Sequence, residues 1–193
     1  MPKLEDCSHS ALIISASDQF NIVAKKSLRR FITIDIKKSG ALGRSAILER
    51  DYDLIIINGP LSDENGIELS LDIAEKSNGA VLLVVPQDNY EDILDRVTDQ
   101  CVLVITKPSP EGRLDKAIRL LTAIRNKQYV LENKAAAIQE KLDELRIVSK
   151  AKIVLVEKKH MSEDDAHRYI GKLAMNNGVS RKYAAERILD ELE

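Results

Sequence analysis

The chain has no tryptophan and two cysteines, and aromatic residues make up 4% of it. Cys7 and Cys101 stand far apart, with no Cys or His neighbour at metal-ligand spacing, which removes the usual basis for a disulfide framework or a zinc site. Cys101 opens an apolar run and reads as a buried small hydrophobe. No apolar run approaches the ~20 residues of a membrane span, and the start "MPKLEDCSHS" lacks a charged-then-apolar leader pattern, so the cytoplasm is the expected compartment. Charge of one sign is missing as well. Against 31 Asp and Glu stand 29 Lys and Arg, a formal net charge of -2, which excludes a globally basic nucleic-acid binder but leaves room for a local basic patch. Proline is absent from Leu114 onward, and glycine is absent from there to Gly171. Within 193 residues there is room for one domain of ordinary size and a smaller module.

What is present before Pro110 alternates between two patterns. Short apolar, β-branched runs occur at "ALIIS", "FITIDI", "DLIII", "AVLLVV" and "CVLVIT". Between them lie segments with helical spacing, such as "SDENGIELSLDIAEKSNG", where Ser62 or Asp63 is the expected start cap and Gly79 the expected end. Repeated strand-helix units predict an α/β domain with a five-stranded parallel sheet in the flavodoxin-like order 2-1-3-4-5. Past Pro110 the strands stop. Ala117, Leu121, Ile124, Gln128, Leu131, Ala135, Ile138, Leu142 and Leu145 recur in alternating steps of four and three, the signature of a long helix with a coiled-coil seam. Leu114, Ile118 and Leu121 are expected to pack back on the sheet. Beyond Arg125 the stripe needs another partner, and a second copy of the helix would stabilise each buried Leu or Ile there by roughly 1.5–3 kcal/mol. Dimerisation through Ile124, Leu131, Ile138, Leu142 and Leu145 is therefore expected.

In a sheet of this order the carboxyl ends of strands 1, 3, 4 and 5 converge on one edge. Those ends carry Ser15-Ala16-Ser17, Asn58, Val85-Pro86 and Lys107-Pro108. Taken alone, Asn58-Gly59 reads as a turn after a buried strand. Yet "DLIIINGPLSDENGIEL", with Gly66 at the following helix start, and "VITKP" resemble the receiver domain of bacterial response regulators over roughly residues 10–124. That resemblance implies an acidic pair after strand 1, an Asp phosphoacceptor at Asn58 and a Ser or Thr at Val85. Here Ser15, Ala16, Asn58 and Val85 occupy those places. Mg²⁺ needs clustered carboxylate oxygens, and an amide is not the nucleophile that forms an aspartyl phosphate. Asp18 reads as a helix cap and Asp63 as a loop or cap residue, so neither replaces the missing groups. Lys107 remains, with the Asn58 side-chain oxygen as its expected partner. The five residues are expected to be a degenerate phosphorylation site that holds no metal and takes no phosphoryl group.

Residues 146–182 contain nine Lys and Arg against four Asp and Glu. Ser162 begins a helix over about 163–176, Gly178 ends it, and Ser180 caps a third helix over about 181–192. Ala166, Ile170, Leu173 and Ala174 form the apolar stripe of the second helix, while Arg168, Lys172 and Asn176 share another face. "LRIVSKAKIVLVEKKHMSEDDAHRYIGKLAMNNGVSRKYAAERIL" is similar to the ANTAR domain, the RNA-binding module of bacterial transcription antiterminators. Ala151-Lys152 with Leu155, "MSEDDA", "LAM" and "AAERIL" carry the likeness. Ile153 stands where a Gly is usual and Val156 where Met is usual; both read as packing changes. The resemblance implies RNA contacts from Lys152, Arg168, Lys172 and Arg181, with His167, Asn176 and Lys182 as secondary candidates. It also implies that Ala151, Ala166 and Ala174 let the helices approach closely.

The expected organisation is a pseudo-receiver domain over 1–124, a coiled-coil linker helix over 125–145 and an ANTAR-like helical module over 146–193. The expected function is a dimeric, non-enzymatic antitermination regulator that binds hairpins in nascent mRNA without a cofactor, with a sensor or regulatory protein as a possible further partner. Two other classes fit parts of the pattern. A helix-turn-helix around "NNGVS" would make the chain a DNA-binding regulator, and a basic face without nucleic acid would make it an interaction adaptor.

Overall fold

The computed structural model describes residues 9–192, which divide into two compact units, one running to Gln128 and one starting at Tyr129. In the first unit, β1 (Ser10–Ile14), β2 (Thr33–Lys37), β3 (Leu54–Asn58), β4 (Ala80–Pro86) and β5 (Val102–Lys107) form one parallel sheet in the order β2-β1-β3-β4-β5. This is the flavodoxin-like order that the alternating pattern predicts and the receiver resemblance implies. The inner strands are apolar on both sides because helices cover both faces. Leu12, Ile14, Ile55, Ile57, Leu83 and Val85 pack toward α2 (Gly40–Glu49), α3 (Ile67–Lys76) and α4 (Tyr90–Val97). Ala11, Ile13, Leu54, Ile56, Leu82 and Val84 pack toward α1 (Asp18–Ser27) and the start of α5 (Glu111–Lys159). The edge strand β2 is only half-buried along its length, in keeping with its mixed sequence "TIDIK".

Several local expectations are corrected. Ser17 is the N-cap of α1, its hydroxyl accepting from the Phe20 amide, and Asp18 is the first helical residue. Neither Ser62 nor Asp63 caps α3. Its N-cap is Gly66, while the Asn65 side-chain oxygen accepts from the Ile67 amide at 2.9 Å. Asp63 instead receives the Gly40 and Ala41 amides of α2 at 2.9 and 3.0 Å. Gly79 does not end α3, whose C-cap is Ser77. It lies against the Tyr52 carbonyl oxygen, which a Cβ at this position would approach to 2.3 Å. Cys101 is exposed rather than buried, in a left-handed conformation (φ 58°) one residue before β5. Cys7 lies outside the described residues.

Leu114, Ile118 and Leu121 of α5 are buried in the first unit's core, as the sequence predicts, and Ala117, read as part of the seam, is buried with them. Farther along, Ile124, Leu131, Ile138, Leu142 and Leu145 are 45–61% exposed. In the second unit, Val148, Ala151 and Leu155 of α5 meet Ala166, Ile170 and Ala174 of α6 (Glu163–Asn177) and Ala184, Ala185, Ile188 and Leu189 of α7 (Arg181–Leu192). Small side chains at these contacts permit close helix approach. The Ser162 and Ser180 hydroxyls cap α6 and α7 by accepting the Asp165 and Tyr183 amides, both at 3.1 Å. Gly178 closes α6 with φ 63°, a conformation that costs a side-chain-bearing residue energy.

Candidate functional site

The sheet brings together the residues at its carboxyl edge because β1 and β3 are neighbours and β4 and β5 follow in order. Asn58 closes β3 with 6% of its surface exposed, and its amide nitrogen donates to the Ser15 hydroxyl at 2.9 Å. The same hydroxyl oxygen accepts the Ser17 amide at 3.1 Å. The Asn58 side-chain oxygen is buried without a hydrogen-bond partner. Lys107 donates to the Gly59 carbonyl oxygen, not to Asn58, so the expected Lys107–Asn58 bond is corrected. Burial holds its ammonium below the ordinary lysine value. Ala16 is exposed, and Val85 is buried with no hydroxyl to offer. Asn58, Lys107, Phe20, Val23 and Pro108 border an open cleft of about 280 Å³.

A magnesium ion at this edge needs hard anionic oxygens. Ser15, Ala16 and Asn58 supply none, and no group of three or more His, Cys, Asp or Glu among the described residues could hold a metal. The residues do not fit the ion. Asn21 went unnoticed in the sequence. It is buried in α1 and its amide nitrogen reaches the Ser15 carbonyl at 3.5 Å. The available signal was a polar residue on the apolar side of α1, one turn after the cap.

In the second unit the basic residues fall outside the three-helix core. Arg168 pairs with Asp165 at 2.8 Å, one turn earlier on α6. Lys152 reaches the Glu163 carboxylate at 2.7 Å and is mostly covered, tying α5 to the start of α6. That contact holds the Glu163 carboxyl below its ordinary value. Lys172 and Arg181 are exposed and Lys182 is half-exposed, and none of the three has an acidic partner among the described residues. His167 and Asn176 are exposed on α6. Tyr169 lies under the Lys159 ammonium, 5.9 Å from the ring centre. Ile153 is 57% exposed and Val156 37%, so these two are not packing changes within the three-helix core.

The fold and its lysine-marked edge define a receiver-type domain, and the second unit is a separate helical module with a basic surface. Residues 136–189 match the ANTAR domain. The transcriptional regulatory protein PdtaR of Mycobacterium tuberculosis is 29% identical over 141 residues, covering 72% of this chain and 68% of that protein. Among solved structures, the signal receiver domain of an HD domain-containing protein from Pseudomonas fluorescens Pf-5 aligns with a TM-score of 0.57 at 13% identity, over 64% of this chain and 93% of that one. A CheY-like response regulator receiver domain protein from Methanospirillum hungatei JF-1 gives a TM-score of 0.56 at 17% identity, over 62% and 98%. These two likenesses concern the fold alone. Residues 136–189 are thus an ANTAR domain, and the chain ahead of it has the fold of a receiver domain. Among the described residues, no helix is long and apolar enough to cross a membrane.

Proposed function

We propose that the chain is a dimeric RNA-binding antiterminator that engages hairpins in nascent mRNA and keeps a competing terminator from forming. In this reading residues 1–124 are a receiver-like domain that aspartyl phosphorylation does not activate, residues 125–145 a dimerising helix, and residues 146–193 the RNA-binding module. The ANTAR match over 136–189 carries the proposal. The side chains add the physical means. Lys172 and Arg181 present unpaired cations that can neutralise phosphates. Lys152 binds RNA only by exchanging its carboxylate partner for a phosphate, and Arg168 shares its guanidinium between Asp165 and a phosphate, so both add less affinity per charge. His167, Asn176 and Lys182 complete the surface. Regulation then comes from a partner protein, a ligand or the RNA itself.

Electrophoretic competition among a hairpin RNA, its DNA equivalent and duplex DNA tests the reading, with the hairpin RNA expected to win. Lys172→Ala together with Arg181→Ala is expected to weaken hairpin binding by about tenfold or more while leaving the fold and the dimer intact. Preference for duplex DNA would make the chain a DNA-binding regulator. Failure to bind any nucleic acid would make it an adaptor.

A further inference from the structure

A second cleft of the first unit shares no described residue with the Asn58 edge. It lies between the end of α1 and one face of α5, near His9 and Phe31, which precede β1 and β2, and encloses about 730 Å³. Four cations line it, Lys26 in the last turn of α1, Arg29 and Arg30 just past its C-cap Leu28, and Arg119 from α5, against one described carboxylate, Asp115. Cations at the carboxyl end of a helix ordinarily complement its dipole, and Arg29 does so, its Nε donating to the Lys26 carbonyl oxygen at 3.0 Å. That account stops there. Lys26 and Arg30 are exposed and have no carboxylate or hydrogen-bond acceptor for their charged groups among the described residues. Arg119 sits on another helix, so the α1 dipole does not explain it; its pairing with Asp115 at 2.7 Å leaves its other nitrogens open.

Two residues of the lining also hold a polar atom that is unsatisfied but buried away from the open cleft. The Ser27 hydroxyl and the His9 Nδ1 are buried without hydrogen-bond partners, the latter 3.8 Å from Asp53, too far for a bond. Phe31 packs against His9 with ring centres 5.6 Å apart and gives the cleft an aromatic wall. A concavity of several hundred Å³, with an apolar wall and convergent cations, suits a small molecule better than a nucleic-acid strand tracking along a surface.

We propose that this cleft binds a small phosphorylated ligand of nucleotide size, with its phosphates on Lys26, Arg30 and Arg119. The site stands independently of the RNA-binding reading. Because its walls are α1 and α5, occupancy joins the sheet domain to the helix that carries the exposed seam, an input that needs no phosphoacceptor.

Calorimetric titration of the full chain at physiological salt with ATP, tripolyphosphate and adenosine tests it. ATP and tripolyphosphate are expected to saturate one site per chain, and adenosine is not expected to bind. Equal affinity for ATP and tripolyphosphate would assign the recognition to the phosphates; tighter ATP would add a base or sugar contact. Arg30→Ala with Arg119→Ala is expected to weaken binding by about tenfold or more, while Lys172→Ala with Arg181→Ala leaves it unchanged. Should the Arg119 change unfold the chain, Lys26→Gln with Arg30→Gln leaves α5 untouched and is expected to show the same loss. The absence of saturable binding overturns the proposal. So does binding that survives the cleft substitutions and disappears with those in the second unit.

Discussion

Asn58 places an amide at the end of β3, and its surroundings restrict what that amide can do. Its nitrogen is committed to the Ser15 hydroxyl, and the following Gly59 amide donates to the Val84 carbonyl at 2.9 Å. An Asn-Gly pair deamidates when the glycine nitrogen swings onto the asparagine side chain, and here that nitrogen is held in a hydrogen bond. The chain incubated with acetyl phosphate and Mg²⁺ is therefore expected to keep its intact mass. Asn58→Asp is expected to behave the same way, because Ser15 and Ala16 add no carboxylate for the ion and Val85 has no hydroxyl for a phosphoryl oxygen. A phosphoryl mass on the unchanged chain would overturn the proposal of an unphosphorylated domain. The composition of this edge was readable from sequence because strand order alone decides which strand ends meet. Its bonding was not. The lysine that finds the Gly59 carbonyl and the Asn21 side chain beneath Ser15 depend on distances that no spacing rule supplies.

At the scale of an element, Asp63 shows the same division. The cap residues of α6 and α7 lie beside their helices in sequence, so Ser162, Gly178 and Ser180 were legible. The carboxylate that helps cap α2 comes from 23 residues farther along the chain, and sequence proximity assigned it to the wrong helix. The strands were found by their β-branched runs, yet Cys101 was misplaced because the apolar run continues one residue outside β5. Two amide donors, from Gly40 and Ala41, hold the Asp63 carboxyl below its ordinary value of 3.8. A carboxyl lowered in the folded state adds stability above the unfolded value, and that contribution is lost as pH falls below 3.8 through the folded value. Asp63→Ala is expected to lower the thermal midpoint at neutral pH. Unfolding followed into acid should show the two proteins converging as the carboxylate is protonated. A gap that persists in strong acid would mean that Asp63 acts through packing instead.

For the whole molecule, α5 joins two different situations in one helix. Its first turns bury Leu114, Ile118 and Leu121 in the sheet domain, and its last turns bury Val148, Ala151 and Leu155 in the helical module. Between them the four-and-three stripe continues with nothing among the described residues to cover it. A helix exposed in this way gains little from tertiary packing, and in the proposed dimer a seam of Leu131, Ile138, Leu142 and Leu145 against its copy would supply what is missing. Leu131→Asp with Leu142→Asp places like charges in that seam while leaving both cores untouched. Sedimentation is expected to show a monomer at micromolar concentration where the unchanged chain is a dimer, with α/β and helical circular dichroism retained. Binding to an RNA with a single hairpin should hardly change. Binding to an RNA with two hairpins should fall by about 10²–10⁴, because the second hairpin is no longer captured by a linked module at high effective concentration. A variant that stays dimeric would move the interface elsewhere on the molecule. A monomer that loses single-hairpin binding as well would show that the seam shapes the second unit itself.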